Sequence, residues 1–224
     1  MKNNKALNYS ILLLSSMILL GCNKKKEEPE NVPPPAPVIN HYYNDKVSFF
    51  NEFGKKNYDV VFIGDSITDY ADWNEIFEGY NIANRGIKSD TTLGVMERLD
   101  SIKSSNAKVG FLMIGTNDVT AKIPSDEIVS NIEKIILELS PDMTIYLQSI
   151  LLTRRDERNP IILELNKRLS NLATQHNVHY IDLNDILAPK GILSDKYTSD
   201  GIHINGKAYH LWAKRIQKYL PTQR

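Results

Sequence analysis

Ser66 is the side chain around which chemistry can be built. It follows Val60-Val61-Phe62-Ile63-Gly64-Asp65, an apolar run that reads as a buried strand halting at a glycine and a small polar turn. In an open α/β sheet, ligands gather beyond the carboxyl ends of the strands, so a hydroxyl at that point is where a substrate arrives. A serine hydroxyl is a weak nucleophile near neutral pH. It needs a base to take its proton and hydrogen-bond donors to hold the oxyanion that its attack creates. Near the other end of the chain stands Asp200-Gly201-Ile202-His203. A carboxylate and an imidazole three residues apart in one turn can meet each other or flank a third group. A carboxylate so placed fixes the ring tautomer and stabilises the imidazolium formed during attack. Taken singly, such segments also read as ordinary turn chemistry: Asp65 and Ser66 as helix caps, Asn117 and Gly86 as turn residues.

The elements that must bring these residues together can be read from periodicity. Tyr43, Val47, Phe50 and Phe53 recur at helical spacing ahead of Gly54, predicting a helix with those residues on its inner face. Strands are predicted at 60–63, at 80–83 running into Asn84-Arg85-Gly86, and at 109–114, 144–150 and 178–183. Between them lie helical patterns: Trp73, Ile76 and Phe77; Leu93, Met96 and Leu99; and Ile128 through Leu139. Asn159-Pro160 reads as an N-cap followed by proline, opening a helix with Ile161, Ile162, Leu165, Leu169 and Leu172 on its apolar side. A last helix carries Tyr209, Trp212, Ile216 and Tyr219 inward. Strands alternating with helices predict one three-layer α/β/α domain over residues 41–224, a five-stranded parallel sheet in flavodoxin-like order. Three successive strands then end in glycine-bearing polar turns on one sheet edge: Gly64-Asp65-Ser66, Asn84-Arg85-Gly86 and Gly115-Thr116-Asn117-Asp118.

These three blocks and Asp200 to His203 resemble, in order and approximate spacing, the SGNH (GDSL-type) hydrolases. The longer run Asn84-Arg85-Gly86-Ile87 with Asp90-Thr91-Thr92 resembles the platelet-activating-factor acetylhydrolase-like branch, which includes carbohydrate and sialate O-acetylesterases. The resemblance implies Ser66 as nucleophile, His203 as base and Asp200 as its orienter. It implies an oxyanion hole made by the backbone N–H groups of Ser66 and Gly86 and the side-chain amide of Asn117. Asp65 and Asp118 read as residues that hold the turns in shape. For Arg85 a surface ion pair is expected, with an anionic substrate group as the other use; for Tyr70 and Trp73 core packing is expected, with sugar stacking as the other use. His41, His176, His179 and His210 have no comparable polar block around them.

Other chemistries fit poorly. The chain has 224 residues with 27 basic and 27 acidic side chains, so no net field draws it to nucleic acid. The run from Gly201 to Ala208 nearly spells a phosphate-binding loop, but Ala208 replaces the hydroxyl and no apolar strand precedes it. Thr68 stands where a G-x-S-x-G elbow would have its second glycine. No cluster has metal-ligand spacing, and neither metal nor cofactor is expected.

The amino terminus is of another kind. Lys2 and Lys5 precede the apolar run from Ile11 to Leu20, shorter than the ~20 residues of a spanning helix. Leu19-Leu20-Gly21-Cys22 resembles a bacterial lipoprotein signal, with 1–21 as signal peptide and Cys22, the single cysteine, as the lipidated residue. The charged and proline-rich segment 22–40 cannot bury a core and reads as an extended tether. The expectation is an extracytoplasmic serine esterase, lipid-anchored to a bacterial membrane, that cleaves short acyl (acetyl) esters on small molecules or glycans. A lysophospholipase or thioesterase acting on lipid esters is the enzymatic alternative, and an inactive surface glycan-binding module the non-enzymatic one.

Overall fold

The computed structural model describes residues 41–155 and 157–222. The leader, Cys22 and the tether fall outside the described residues. Helix α1 (His41–Phe53) precedes the first strand, β1 (Val60–Gly64), which runs into two single turns, α2 (Ser66–Asp69) and α3 (Trp73–Ile76). Strand β2 (Ile82–Gly86) leads to α4 (Thr92–Glu97) and α5 (Leu99–Lys103), and β3 (Val109–Met113) to α6 (Thr116–Thr120) and α7 (Ser125–Leu139). Strand β4 (Thr144–Gln148), α8 (Asn159–Gln175), β5 (His179–Ile181), α9 (Asn184–Leu187) and α10 (Gly206–Ile216) complete the order.

All five strands are parallel, in the order β2-β1-β3-β4-β5. This is the expected flavodoxin-like arrangement. Every residue of β1 and β3 is buried, as strands covered on both faces must be. Alternation along β1 sends Val61 and Ile63 into one core with Val95, Ile102, Ile128 and Leu169, and Val60 and Phe62 into another with Trp73, Phe111, Leu187 and Trp212. Phe62 stacks flat on Trp73 at 3.7 Å between ring centroids, which fixes the segment just after Ser66 to the sheet. Trp73 therefore packs in the core, as expected.

Several boundaries depart from the periodicity. Strand β2 does not end before Asn84 but runs through Gly86, because Asn84 and Arg85 find partners on opposite faces of the sheet. The Asn84 amide donates to the carbonyls of Thr68, Asp69 and Ala71. Arg85 is 4% exposed, donating to the carbonyls of Ser101 and Gly54 and lying over the Phe50 ring, so it makes no surface ion pair. The helix read from Thr92 to Leu99 divides at Arg98, whose backbone leaves helical geometry, and its sealed residues are Val95 and Ile102 rather than Leu93, Met96 and Leu99. Phe53 and Ile161 face outward, at 57% and 43% exposure. Asn159 lies inside α8 instead of capping it; its amide clamps the Thr153 backbone, accepting from the N–H at 2.9 Å and donating to the carbonyl at 2.8 Å.

Candidate active site

Strand β1 delivers Ser66 to the first turn of α2. The Asp65 carboxylate accepts the Ile67 N–H at 2.9 Å and caps that turn, as its residue type favours. From the opposite side the Tyr209 hydroxyl donates to the Ile67 carbonyl at 2.7 Å and the Trp73 indole to the Thr68 carbonyl at 3.0 Å. Ser66 is itself 7% exposed. Its Oγ lies 2.9 Å from His203 Nε2, and His203 Nδ1 lies 2.6 Å from Asp200 Oδ2. Three side chains separated by up to 137 positions in sequence thus form one continuous hydrogen-bonded chain.

The Asp200 turn is self-contained. Asp200 Oδ1 accepts the N–H groups of Ile202 and His203 at 2.9 and 2.8 Å while Oδ2 faces the imidazole. Gly201 has φ +86°, and a Cβ there would crowd the Arg154 side chain, so glycine is required. Partial burial pulls the Asp200 pKa upward, but the hydrogen bonds from the His203 ring and the two amides outweigh it and hold the carboxyl down at about 2.

Asn117 lies in α6 at the end of β3, its amide donating to the Asp90 carbonyl at 2.8 Å, which leaves one amide proton for another acceptor. Gly86 requires a correction. Its N–H donates to Asn84 Oδ1 at 2.9 Å, so that proton is already engaged. Glycine is needed at this position for a different reason: a Cβ would run into the backbone N of Asp69. The turn after β2 offers another donor. Asp90 N–H closes onto the Ile87 carbonyl at 3.1 Å, and Ser89, third in that turn, has φ +64°. Such a position ordinarily takes glycine. The Ser89 N–H meets no acceptor among the described residues.

Beneath these groups lie three buried carboxylates. Burial raises Asp65 to about 7 and Asp118 to about 6, the latter despite hydrogen bonds from the N–H and hydroxyl of Thr92. Asp90 is also raised by burial, against the opposing pull of the Arg98 guanidinium. Asp65 caps its own turn, as expected, whereas the Asp118 carboxylate accepts from Thr92 at the start of α4.

The GDSL-like Lipase/Acylhydrolase family matches residues 62–211. The chain belongs to this family. The platelet-activating factor acetylhydrolase IB subunit alpha2 of Rattus norvegicus is 29% identical over 179 residues, covering 74% of this chain and 77% of that protein. The N-acylneuraminate cytidylyltransferase of Streptococcus agalactiae serotype V is 26% identical over 163 residues, 71% of this chain, and the chain spans only 38% of that relative. A catalytic mutant of an acetylxylan esterase from Geobacillus stearothermophilus superposes with a TM-score of 0.62 at 17% identity, over 75% of this chain and 94% of that one; at that identity the likeness is one of fold.

In this family member Tyr70 does not pack into the core. It is 51% exposed, and its ring stacks against His203 with centroids 5.1 Å apart. Its position four residues past Ser66 was the only signal. Asp90 enters the sequence reading only within the run Asp90-Thr91-Thr92, with no role of its own, and Ser89 and Arg98 do not enter it, because a left-handed serine and a buried arginine leave no mark in apolar periodicity.

Proposed function

We propose that the chain is a serine esterase that works through an acyl-enzyme on Ser66. The observation that carries this reading is the unbroken Ser66–His203–Asp200 chain at 2.9 and 2.6 Å. Ser66 Oγ bonds to the ester carbonyl carbon as His203 Nε2 takes the hydroxyl proton, and Asp200 stabilises the imidazolium through Nδ1. The proton passes to the departing alcohol as its C–O bond breaks. Water then adds to the acyl-enzyme by the same route and releases the acid. The oxyanion is held by the N–H of Ser66, by the second proton of the Asn117 amide, and by the N–H of Ser89 in place of Gly86. No cofactor takes part.

A short acyl group on a carbohydrate is the substrate class we favour. One named relative is an acetylhydrolase, and the fold is shared with an acetylxylan esterase. Beyond the acid turn, and lined by neither Ser66 nor His203, lies an open cavity of about 300 Å³ walled by Arg154, Arg155, Asp195, Thr198, Ser199, Asp200 and Gly201, where the far part of a leaving group could extend. Polar walls suit a hydroxyl-rich leaving group better than an alkyl chain. Wild type is expected to hydrolyse p-nitrophenyl acetate and acetylated sugars, with activity falling as the acyl chain lengthens. A folded Ser66→Ala variant is expected to lose hydrolysis by roughly 10⁴ or more. Equal rates in the two proteins rule the esterase reading out.

We also propose that Cys22 carries a lipid that holds the domain outside the cytoplasm on a bacterial membrane. The order of basic residues, short apolar run and Gly21-Cys22 supports it. Among the described residues no helix is long and apolar enough to cross a membrane. Cys22→Ser is expected to move the protein from the membrane fraction to the soluble one; continued sedimentation with membranes rejects the anchor.

A further inference from the structure

Below the site, the Arg98 and Asp90 side chains are sealed from solvent, at 0% and 2% exposure. Arg98 Nε and Nη2 each lie 2.8 Å from Asp90 Oδ2, and Nη2 also donates to the Gly64 carbonyl at 3.3 Å. Arg98 Nη1 has no acceptor among the described residues. Asp90 carries the connection further. Its Oδ1 accepts the Thr91 N–H, its own N–H closes the turn onto Ile87, and its carbonyl accepts the Asn117 amide at 2.8 Å. Gly94 is part of the arrangement, since a Cβ there would collide with Asp90 Oδ1.

A buried ion pair is a poor source of stability, because desolvating two charges offsets their attraction, and here one guanidinium N–H is left unpaired as well. What the pair does supply is convergence. It reaches Gly64, two residues before Ser66; the Ile87–Asp90 turn, which holds Ser89 at φ +64°; and Asn117. A left-handed serine persists only where its surroundings over-determine it.

We propose that Arg98 and Asp90 are positioning residues that set the nucleophile turn, the Ser89 N–H and the Asn117 amide in register with one another. The proposal rests on the roles given to those three groups above. Neither side chain touches substrate. Both act through the carbonyls of Gly64 and Asp90 and through the shape of the turn between them.

Arg85 supplies the control. It is a second buried arginine bonded to backbone carbonyls, those of Ser101, Gly54 and Asn84, and it reaches none of the three groups. We expect Arg98→Met and Asp90→Asn to lower kcat on p-nitrophenyl acetate by about 10–100-fold with KM within about twofold, the loss a small misplacement produces. Arg98→Lys, which keeps the charge but not the fork, is expected to recover part of it. Arg85→Met should lose thermal stability while the folded fraction keeps its kcat. Amide hydrogen exchange in residues 87–92 should quicken in Arg98→Met and not in Arg85→Met. The proposal is overturned if kcat in the Arg98 and Asp90 variants falls only in proportion to the unfolded fraction, as in the Arg85 variant. Should wild type prove no more active than Ser66→Ala, the esterase reading fails on its own. Exchange then decides the positioning claim: selective loosening of 87–92 upholds it, and equal loosening in both arginine variants ends it.

Discussion

The proposed nucleophile and its proposed base are held in opposite ways. Ser66 is buried in a turn pinned from three sides, by the Asp65 carboxylate, the Tyr209 hydroxyl and the indole of Trp73, which is itself stacked on Phe62 of β1. His203 and Asp200 sit on a loop with side chains 31% and 50% exposed, and the bonds that shape their turn are made almost wholly within it. The difference teaches where precision comes from in this site. On one side it is a property of the core, where carboxylates are kept from water. On the other it is local, because one aspartate satisfies two amides and an imidazole at once.

Removing Asn117 tests the core side most severely. Asn117→Ala is expected to lower kcat by roughly 10²–10³ with the fold retained, the usual cost of a lost oxyanion donor. An unchanged kcat in steady-state hydrolysis takes Asn117 out of the oxyanion hole.

The exposed acid should matter less than a buried one. A buried triad aspartate replaced by asparagine costs about 10⁴ in kcat in the serine protease template. Here water screens the carboxylate, so Asp200→Asn is expected to cost only about 10–100-fold. A loss near 10⁴ would break the contrast between the two sides, since the solvated turn would then be coupled as tightly as a buried one.

The smallest effect is thermodynamic, and its sign differs between the two sides. Asp65, at about 7, and Asp118, at about 6, lie above their unfolded values near ~3.9. The folded protein therefore binds extra protons between roughly pH 4 and 7. These groups stabilise it as the pH falls through that window, and the contribution is lost as the pH rises through about 7. Asp200, at about 2, acts oppositely: its contribution is present above pH ~4 and lost as the pH falls toward 2. Asp65→Asn should flatten the dependence of Tm on pH between about 4 and 7, and Asp200→Asn should leave it in place. A wild-type Tm that does not vary over that interval contradicts the burial of these carboxyl groups in ionisable form.

Much of this could be read from the linear chain, for identifiable reasons. The strands of the sheet interior are continuous apolar runs, so β1 and β3 announce themselves, and the polar blocks at their ends follow from glycine and short polar residues interrupting those runs. Asp200 and His203 meet within one turn, so their pairing needs no knowledge of the fold. What failed in the site was the placement of individual side chains and amide protons. Arg85 looks like a surface cation in sequence, yet it is enclosed between α1 and α5 because two backbone carbonyls and an aromatic face are waiting there. Gly86 looks like a free donor, and its N–H is taken by a side chain two residues back. Tyr70 looks like core and stands in solvent beside the imidazole.

The amino-acid sequence by itself determined the layer architecture, the strand order expected of right-handed crossovers, and which serine, histidine and aspartate to look for at the strand ends. Hydrophobic period and local turn chemistry are carried by neighbours in the chain. Only the tertiary structure decided which amide protons remain free, which arginine lies beneath the site, and which carboxylates are kept from water. Those depend on desolvation and on hydrogen-bond partners brought from distant elements, and no short window of sequence contains them.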